Sequence, residues 1–244
     1  MSTQAQRGRK VDTRNAKTLR VFYMVLTVIA VVGVALLITY LVRNQGATPS
    51  GGAATGTTAQ ISSLKAPTGM TPEGFYYKGD PEAPVRVIEY SDYQCPACAQ
   101  FQTVLADQID LEYVETGKIQ FVFHDFPLSM HQHAVIAAEA ARAAGSQGQF
   151  WQMNKLLFAR QGEWASSLNP QQLFVRYAEE LGLDRNQFEQ ALQNGTYRDQ
   201  VRAAEQAAIQ AGIGGTPTFI VEGRQVNAGQ LVAAIESALA AKGR

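Results

Sequence analysis

The stretch Glu89-Tyr90-Ser91-Asp92-Tyr93-Gln94-Cys95-Pro96-Ala97-Cys98 decides the fold. It holds the only two cysteines of the 244-residue chain, at Cys-x-x-Cys spacing. Val85-Arg86-Val87-Ile88-Glu89-Tyr90, rich in β-branched residues, leads into it and reads as a strand. Apolar residues at Phe101, Val104, Leu105, Ile109 and Leu111 follow it, close to i, i+3, i+4, i+8 spacing, and Gly117 stops that helix. Ile119-Gln120-Phe121-Val122-Phe123-His124 is the next strand. Strand, helix and strand with such short links predict a parallel, right-handed βαβ unit with the dithiol at its first turn.

Pro96 suits the first helical position, where its missing N–H costs nothing. Cys95 is then the N-cap, and its sulfur faces the free N–H groups of Ala97 and Cys98. Those donors, with the positive end of the helix dipole, favour a thiolate on Cys95. Cys98 lies one turn inside. The spacing predicts an exposed, acidic, nucleophilic Cys95 and a covered, resolving Cys98. In the oxidising direction a substrate thiolate attacks Cys95 of the disulfide and Cys98 leaves; a second substrate thiol then expels Cys95. The plain alternatives are two structural cysteines or half of a zinc site. Zinc would need two more ligands from His124, His131 and His133. His131 and His133, two apart, would point to nearly opposite sides of a helix. The three histidines read as surface or strand-end residues, and no metal or other cofactor is expected.

Two further segments bear on the dithiol. Alternation places Glu89 on the sheet face of Val85 and Val87. A carboxylate among core residues is costly and its pKa should rise, which suits a proton acceptor or relay for Cys98. An edge-exposed or ion-paired glutamate is the alternative. In Gly214-Gly215-Thr216-Pro217-Thr218-Phe219, proline opens a strand and cannot donate to the ladder. Taken alone, this segment reads as a plain trans turn.

Before the folded part, residues 1–20 carry six Lys/Arg against one acid, Asp12. Val21 to Val42 is uncharged and Arg43 closes it. A helix over that run reaches about 33 Å, enough for the ~30 Å hydrocarbon layer. It is longer than the apolar core of a cleaved signal peptide, and Thr39-Tyr40-Leu41-Val42-Arg43 is a poor cleavage site. The expectation is a signal-anchor over 21–43 with residues 1–20 in the cytoplasm and everything after it outside, by the positive-inside rule. Residues 44–70, rich in Gly, Ala, Ser and Thr, read as a flexible linker. The remainder is mildly acidic, which excludes a nucleic-acid-binding surface.

The folded domain is expected over 71–244. From about 129 to 212 the pattern is helical, with Gly145, Gly162, Gly182, Gly195 and Gly212 as stops and Asn169-Pro170 and Asp184 as starts. Phe150, Trp151, Leu156 and Phe158 read as core. Thr218-Phe219-Ile220-Val221 and Arg224-Gln225-Val226, joined by Glu222-Gly223, read as a hairpin. An amphipathic helix through Leu231, Val232, Ile235 and Leu239 closes the chain. The fold expected is α/β, a thioredoxin fold with a mixed sheet of about four strands, helices on both faces and a helical insertion.

Glu89, Cys95-Pro96-Ala97-Cys98, the helical insertion and Gly215-Thr216-Pro217-Thr218-Phe219 together resemble the DsbA-like family of extracytoplasmic thiol:disulfide oxidoreductases. His124-Asp125-Phe126-Pro127-Leu128 and Gln149-Phe150-Trp151 are similar to its membrane-anchored bacterial members. The resemblance runs from about Pro72 to the C-terminus. It implies Cys95 as nucleophile, Cys98 as resolving thiol, Glu89 as the buried acid, and Thr216-Pro217 as a cis peptide facing the disulfide where substrate backbone pairs. It also implies exported proteins as substrates and a membrane redox partner, either a quinone-linked reoxidase or a protein that supplies reductant. The dipeptide Pro96-Ala97 departs from the Pro-His of the best-known oxidases, which removes a histidine that would help to hold the thiolate. A reductase or isomerase working through the same dithiol is the alternative, and a non-enzymatic thiol metal-binding module a more distant one. No dimerisation domain is visible, so a monomer is expected.

Overall fold

The computed structural model describes residues 65–243. The expected anchor over 21–43 lies outside them. Among the described residues, no helix is long and apolar enough to cross a membrane.

The sheet is built from β1 (Thr68–Met70), β2 (Tyr76–Lys78), β3 (Val85–Ser91), β4 (Ile119–Asp125), β5 (Thr218–Val221) and β6 (Arg224–Val226), in the order β1-β2-β4-β3-β5-β6. β3 and β4 are parallel, as the short βαβ links require, and the other neighbours are antiparallel. Among the described residues, six strands replace the four expected. The two unforeseen ones are three residues long, too short for alternation to register. β1 also falls inside the stretch 44–70 that reads as linker: Gly69 and Thr68 pair with Tyr77 and Lys78, so folded structure begins before Thr71.

The helix after the dithiol is not continuous. α1 (Pro96–Val104) and α2 (Ala106–Ile109) meet at a break on Leu105, and a π-helical turn (Asp110–Val114) follows. The break rotates the apolar face. Phe101 and Ile109 are buried, but Val104 and Leu111, expected inward, are 74% and 67% exposed.

The insertion comprises α3 (Ala134–Gly145), α4 (Phe150–Ala159), α5 (Gln161–Trp164), α6 (Pro170–Glu180), α7 (Arg185–Gln193) and α8 (Arg198–Gln210). Asp184 caps α7 by accepting from the Gln187 N–H at 3.0 Å. Gly182, Gly195 and Gly212 sit at positive φ after their helices, as stops do. Gly145 and Gly162 do not: both are helical. Gly145 is small because a β-carbon there would meet the Tyr76 hydroxyl. The turn at Glu222 and Gly223 has positive φ at both residues, which matches the twist of β5 and β6. α9 (Leu231–Ala241) is entered through an Asn227/Gln230 capping box.

One face of the sheet, through Val85, Val87, Ile119, Phe121, Phe219 and Val221, packs on α1, α2 and α9. The other, through Ile88, Tyr90 and Ile220, meets Ala208 of α8 and Ile213. The insertion has its own aromatic core, which reaches the dithiol: Tyr93, Cys95 and Cys98 join Phe123, Phe150, Phe158 and Trp164 in one cluster. The redox turn is thereby wedged between sheet and insertion.

Candidate active site

Cys95 is the N-cap of α1 and Pro96 its first residue, as the spacing predicts. Both cysteines are free thiols. Cys95 is 7% exposed and Cys98 not at all, so Cys95 shows solvent a narrow window rather than an open thiol. Its sulfur makes no full capping hydrogen bond. The Cys95 pKa is pushed down to about 5, first by the Cys98 thiol and then, against the cost of burial, by Thr216 and the N–H groups of Cys98 and Ala97. The helix-end donors therefore contribute, but the neighbouring thiol leads. Burial raises the Cys98 pKa well above the ordinary thiol value, and its bond to Cys95 adds to that. The pair behaves as one proton shared unequally, with Cys95 the acidic member.

Glu89 is fully buried on β3, beside Phe123 of β4 and Phe219 of β5 in the register. Among the described residues it is neither edge-exposed nor ion-paired. Gln102 Nε2 donates to Oε2 at 2.8 Å, and Oε1 has no partner. Desolvation raises the carboxyl to about 7, opposed by Ser91, Gln102 and the charge of Lys78.

The Thr216-Pro217 peptide is cis. It stands against the dithiol from a segment distant in sequence, with the Thr216 carbonyl oxygen 3.5 Å from Cys95 Sγ. The buried Thr216 hydroxyl has no hydrogen-bond partner among the described residues. Pro96, Ala97, Thr216 and Pro217 thus lie against the Cys95 and Cys98 dithiol, and Glu89 is linked to it through Ser91, which acts on both Glu89 and Cys98.

Residues with no chemical signature in the sequence hold the turn in place. Asp92, 1% exposed, accepts from the Gln94 N–H at 2.7 Å, the Leu128 N–H at 2.8 Å and His131 Nδ1 at 2.7 Å. Its carbonyl receives the Cys95 N–H. Gln94 reaches the insertion at two points, donating to Ala165 O and accepting from the His133 N–H. Gln161 Nε2 donates to the carbonyls of Tyr93 and Cys95. His124 is a strand-end residue, as expected, but is buried between the Phe75 and Tyr90 rings, and His131 ties down Asp92. Among the described residues, no three His, Cys, Asp or Glu side chains converge as a metal site needs.

A family model described as Thioredoxin matches residues 71–241. The chain belongs to the thioredoxin family. Among curated relatives, the protein named Na(+)/H(+) antiporter NhaA 1 of Salinispora arenicola is 40% identical over 178 residues, which is 70% of this chain and 26% of that protein. The chain thus spans about a quarter of the length of such relatives. The protein named probable disulfide bond formation protein D of Bacillus anthracis is 27% identical over 153 residues, 61% of this chain and 70% of that one. Among solved structures, BdbD from Bacillus subtilis has a TM-score of 0.63 at 23% identity, covering 71% of this chain and 98% of its own. The alpha-DsbA1 of Wolbachia pipientis has 0.61 at 25%, covering 72% and 94%. The DsbA-like resemblance read from the sequence is borne out in the fold.

Proposed function

We propose that this chain is a membrane-tethered, extracytoplasmic thiol:disulfide oxidoreductase that oxidises the thiols of exported proteins. The observation that carries the reading is the unequal thiol pair at the start of α1: an acidic Cys95 and a proton-holding, fully buried Cys98. The name of the Bacillus anthracis relative, a probable disulfide bond formation protein, supports disulfide chemistry.

In this reading the resting enzyme carries the Cys95–Cys98 disulfide. A substrate thiolate forms a bond to Cys95 Sγ, the S–S bond breaks, and Cys98 takes the electron pair and a proton. The substrate's second thiolate then attacks its own sulfur in the mixed disulfide. Cys95 leaves as the thiolate, and the low pKa makes it a good leaving group. The substrate has lost two electrons and the enzyme has gained them as a dithiol. Glu89 supplies and receives the Cys98 proton. A substrate segment entering at Cys95 runs along the backbone of Thr216 and Pro217, because the Thr216 carbonyl is the main-chain group facing that sulfur. A membrane partner that passes electrons to quinone restores the disulfide, and the span 21–43 keeps the domain near it.

The test is the Cys98→Ser variant in cells, which accumulates mixed disulfides with exported proteins through Cys95. Absence of any trapped adduct overturns the reading. Equilibration with glutathione buffers sets the direction. A potential well above about −270 mV, the thioredoxin value, supports oxidation; one at or below it reassigns the chain to reduction or isomerisation.

A further inference from the structure

The face of β3 that carries Glu89 carries Ser91 two residues on, and the facing side of α1 carries Cys98 and Gln102, four residues apart. Two strand residues span about 6.6 Å and four helical residues about 6 Å, so the two spacings match. Gln102 lies over Glu89, bonded at 2.8 Å, and Cys98 lies within reach of the Ser91 side chain. Ser91 is 1% exposed. Among the described residues neither its hydroxyl nor Glu89 Oε1, both buried, has a partner at full hydrogen-bonding distance. An unpaired buried polar atom is costly, and such atoms call for an explanation. Here one of them, the Ser91 hydroxyl, acts both on the Glu89 carboxyl that holds the other and on the one thiol that must gain and lose a proton.

We propose that Ser91 is the proton relay between Cys98 and Glu89, and that Glu89 exchanges that proton with solvent through the cleft against Gln102. The inference rests on Cys98 being the resolving thiol. The same hydroxyl acts on both ends of the route: it lowers the pKa of the Glu89 carboxyl and that of the Cys98 thiol. A hydroxyl both donates and accepts, so it carries a proton between two groups that do not touch. When the disulfide opens, the electron pair of the S–S bond goes to Cys98 Sγ. The Ser91 O–H proton passes to that sulfur, and the Glu89 carboxyl proton replaces it on Ser91, leaving a carboxylate. When the disulfide re-forms, each proton moves back. A carboxyl raised to about 7 is ready for both directions at neutral pH.

The cleft supplies the outer end. It encloses about 510 Å³ and is lined by Gln102, Lys78, Asp110 and Trp151 among others. The groups that act on Glu89 are few. Lys78 on β2 lowers its pKa and Asp110 on the π-helical turn raises it, while Tyr93 after β3 feels its charge. From β4 and β5 its register neighbours are the apolar Phe123 and Phe219.

The test is the rate at which a reduced dithiol peptide opens the Cys95–Cys98 disulfide of the full chain, followed by stopped flow and normalised to the peptide's thiolate fraction. In the parent protein this rate falls as pH rises through about 7, when Glu89 loses its proton. Ser91→Ala removes that inflection and lowers the acid-side rate by roughly a hundredfold. Ser91→Thr, which keeps the hydroxyl, restores both. A Ser91→Ala protein that keeps the inflection, at any absolute rate, overturns the relay. A second readout needs no variant: with two protons in flight, the rate of the parent protein bows with the deuterium fraction of the solvent, whereas a straight line overturns the relay. If Cys98→Ser traps adducts but these readouts fail, only the relay falls. If it traps none, the resolving-thiol reading falls with it.

Discussion

The S–H of Cys95 points at the carbonyl oxygen of Thr216 across 3.5 Å, joining residues 121 positions apart. A thiolate has no proton to give that oxygen, so on ionisation the sulfur turns from donor to acceptor. Its donors are then the Cys98 thiol, the Thr216 hydroxyl and two backbone N–H groups.

Titration of the ultraviolet thiolate absorbance of the reduced protein is therefore expected to give Cys95 a midpoint at about 5. Cys98→Ala removes the leading stabiliser and moves the midpoint upward. Thr216→Val moves it in the same direction by less. A larger shift in Thr216→Val than in Cys98→Ala would contradict this ranking.

The same ionisations set how stability depends on pH, with opposite signs. Glu89 is raised from 4.5 to about 7 on folding. Its contribution is fully present below 4.5 and is lost as pH rises to about 7, at about 1.4 kcal/mol per unit. Cys95 is lowered from 9.0 to about 5. Its contribution is present at alkaline pH and is lost as pH falls through about 5. In the reduced protein the two slopes nearly cancel between pH 5 and 7. The oxidised protein has no Cys95 thiolate and loses stability across that window. Urea unfolding at several pH values checks this: Glu89→Gln flattens the oxidised curve and raises stability at neutral pH.

The dithiol, its cap and the βαβ unit were legible because each is a local pattern: spacing, a proline at the first helical turn, alternation. The break at Leu105 was not, since Val104 and Leu111 fit an ideal helical face and only the packing of Ile109 and the π-helical turn shows that they point outward. β1 and β2 were too short to leave a period. Glu89 could be placed on a face by alternation, but its ionisation depends on Phe123, Phe219 and Gln102, which other elements bring. Ser91, Asp92, Gln94 and Gln161 carried no signal beyond nearness to Cys95 or none at all. Their roles exist only once the insertion closes over the turn.

Asp92 is expected to matter as much as any core residue. Its buried carboxylate accepts from two backbone N–H groups and His131, tying the redox turn to the segment before α3. Asp92→Ala leaves two buried backbone donors unpaired and should cost about 3 kcal/mol. Thermal unfolding measures that cost. Limited proteolysis should then cut near Met130, which is already 81% exposed.

Lys78 and Asp110 form a buried ion pair at 2.7 Å in the lining of the cleft that also holds Gln102, the partner of Glu89. Lys78 also lies over the Trp151 and Phe121 rings, at 4.6 and 5.0 Å from their centroids. Breaking the pair from either side strands a charge and should cost about 3–5 kcal/mol. The two single variants differ in what they do to Glu89. Lys78→Met removes a nearby cation and raises its pKa further above 7; Asp110→Asn removes an anion and lowers it. The measure is the pH at which the oxidised protein stops losing stability, expected to move up in the first variant and down in the second. The double variant should recover much of the stability, because no charge is left unpaired, while Glu89 returns near its starting value. Equal shifts of the same sign in both single variants would mean that the pair acts on Glu89 through packing and not through charge.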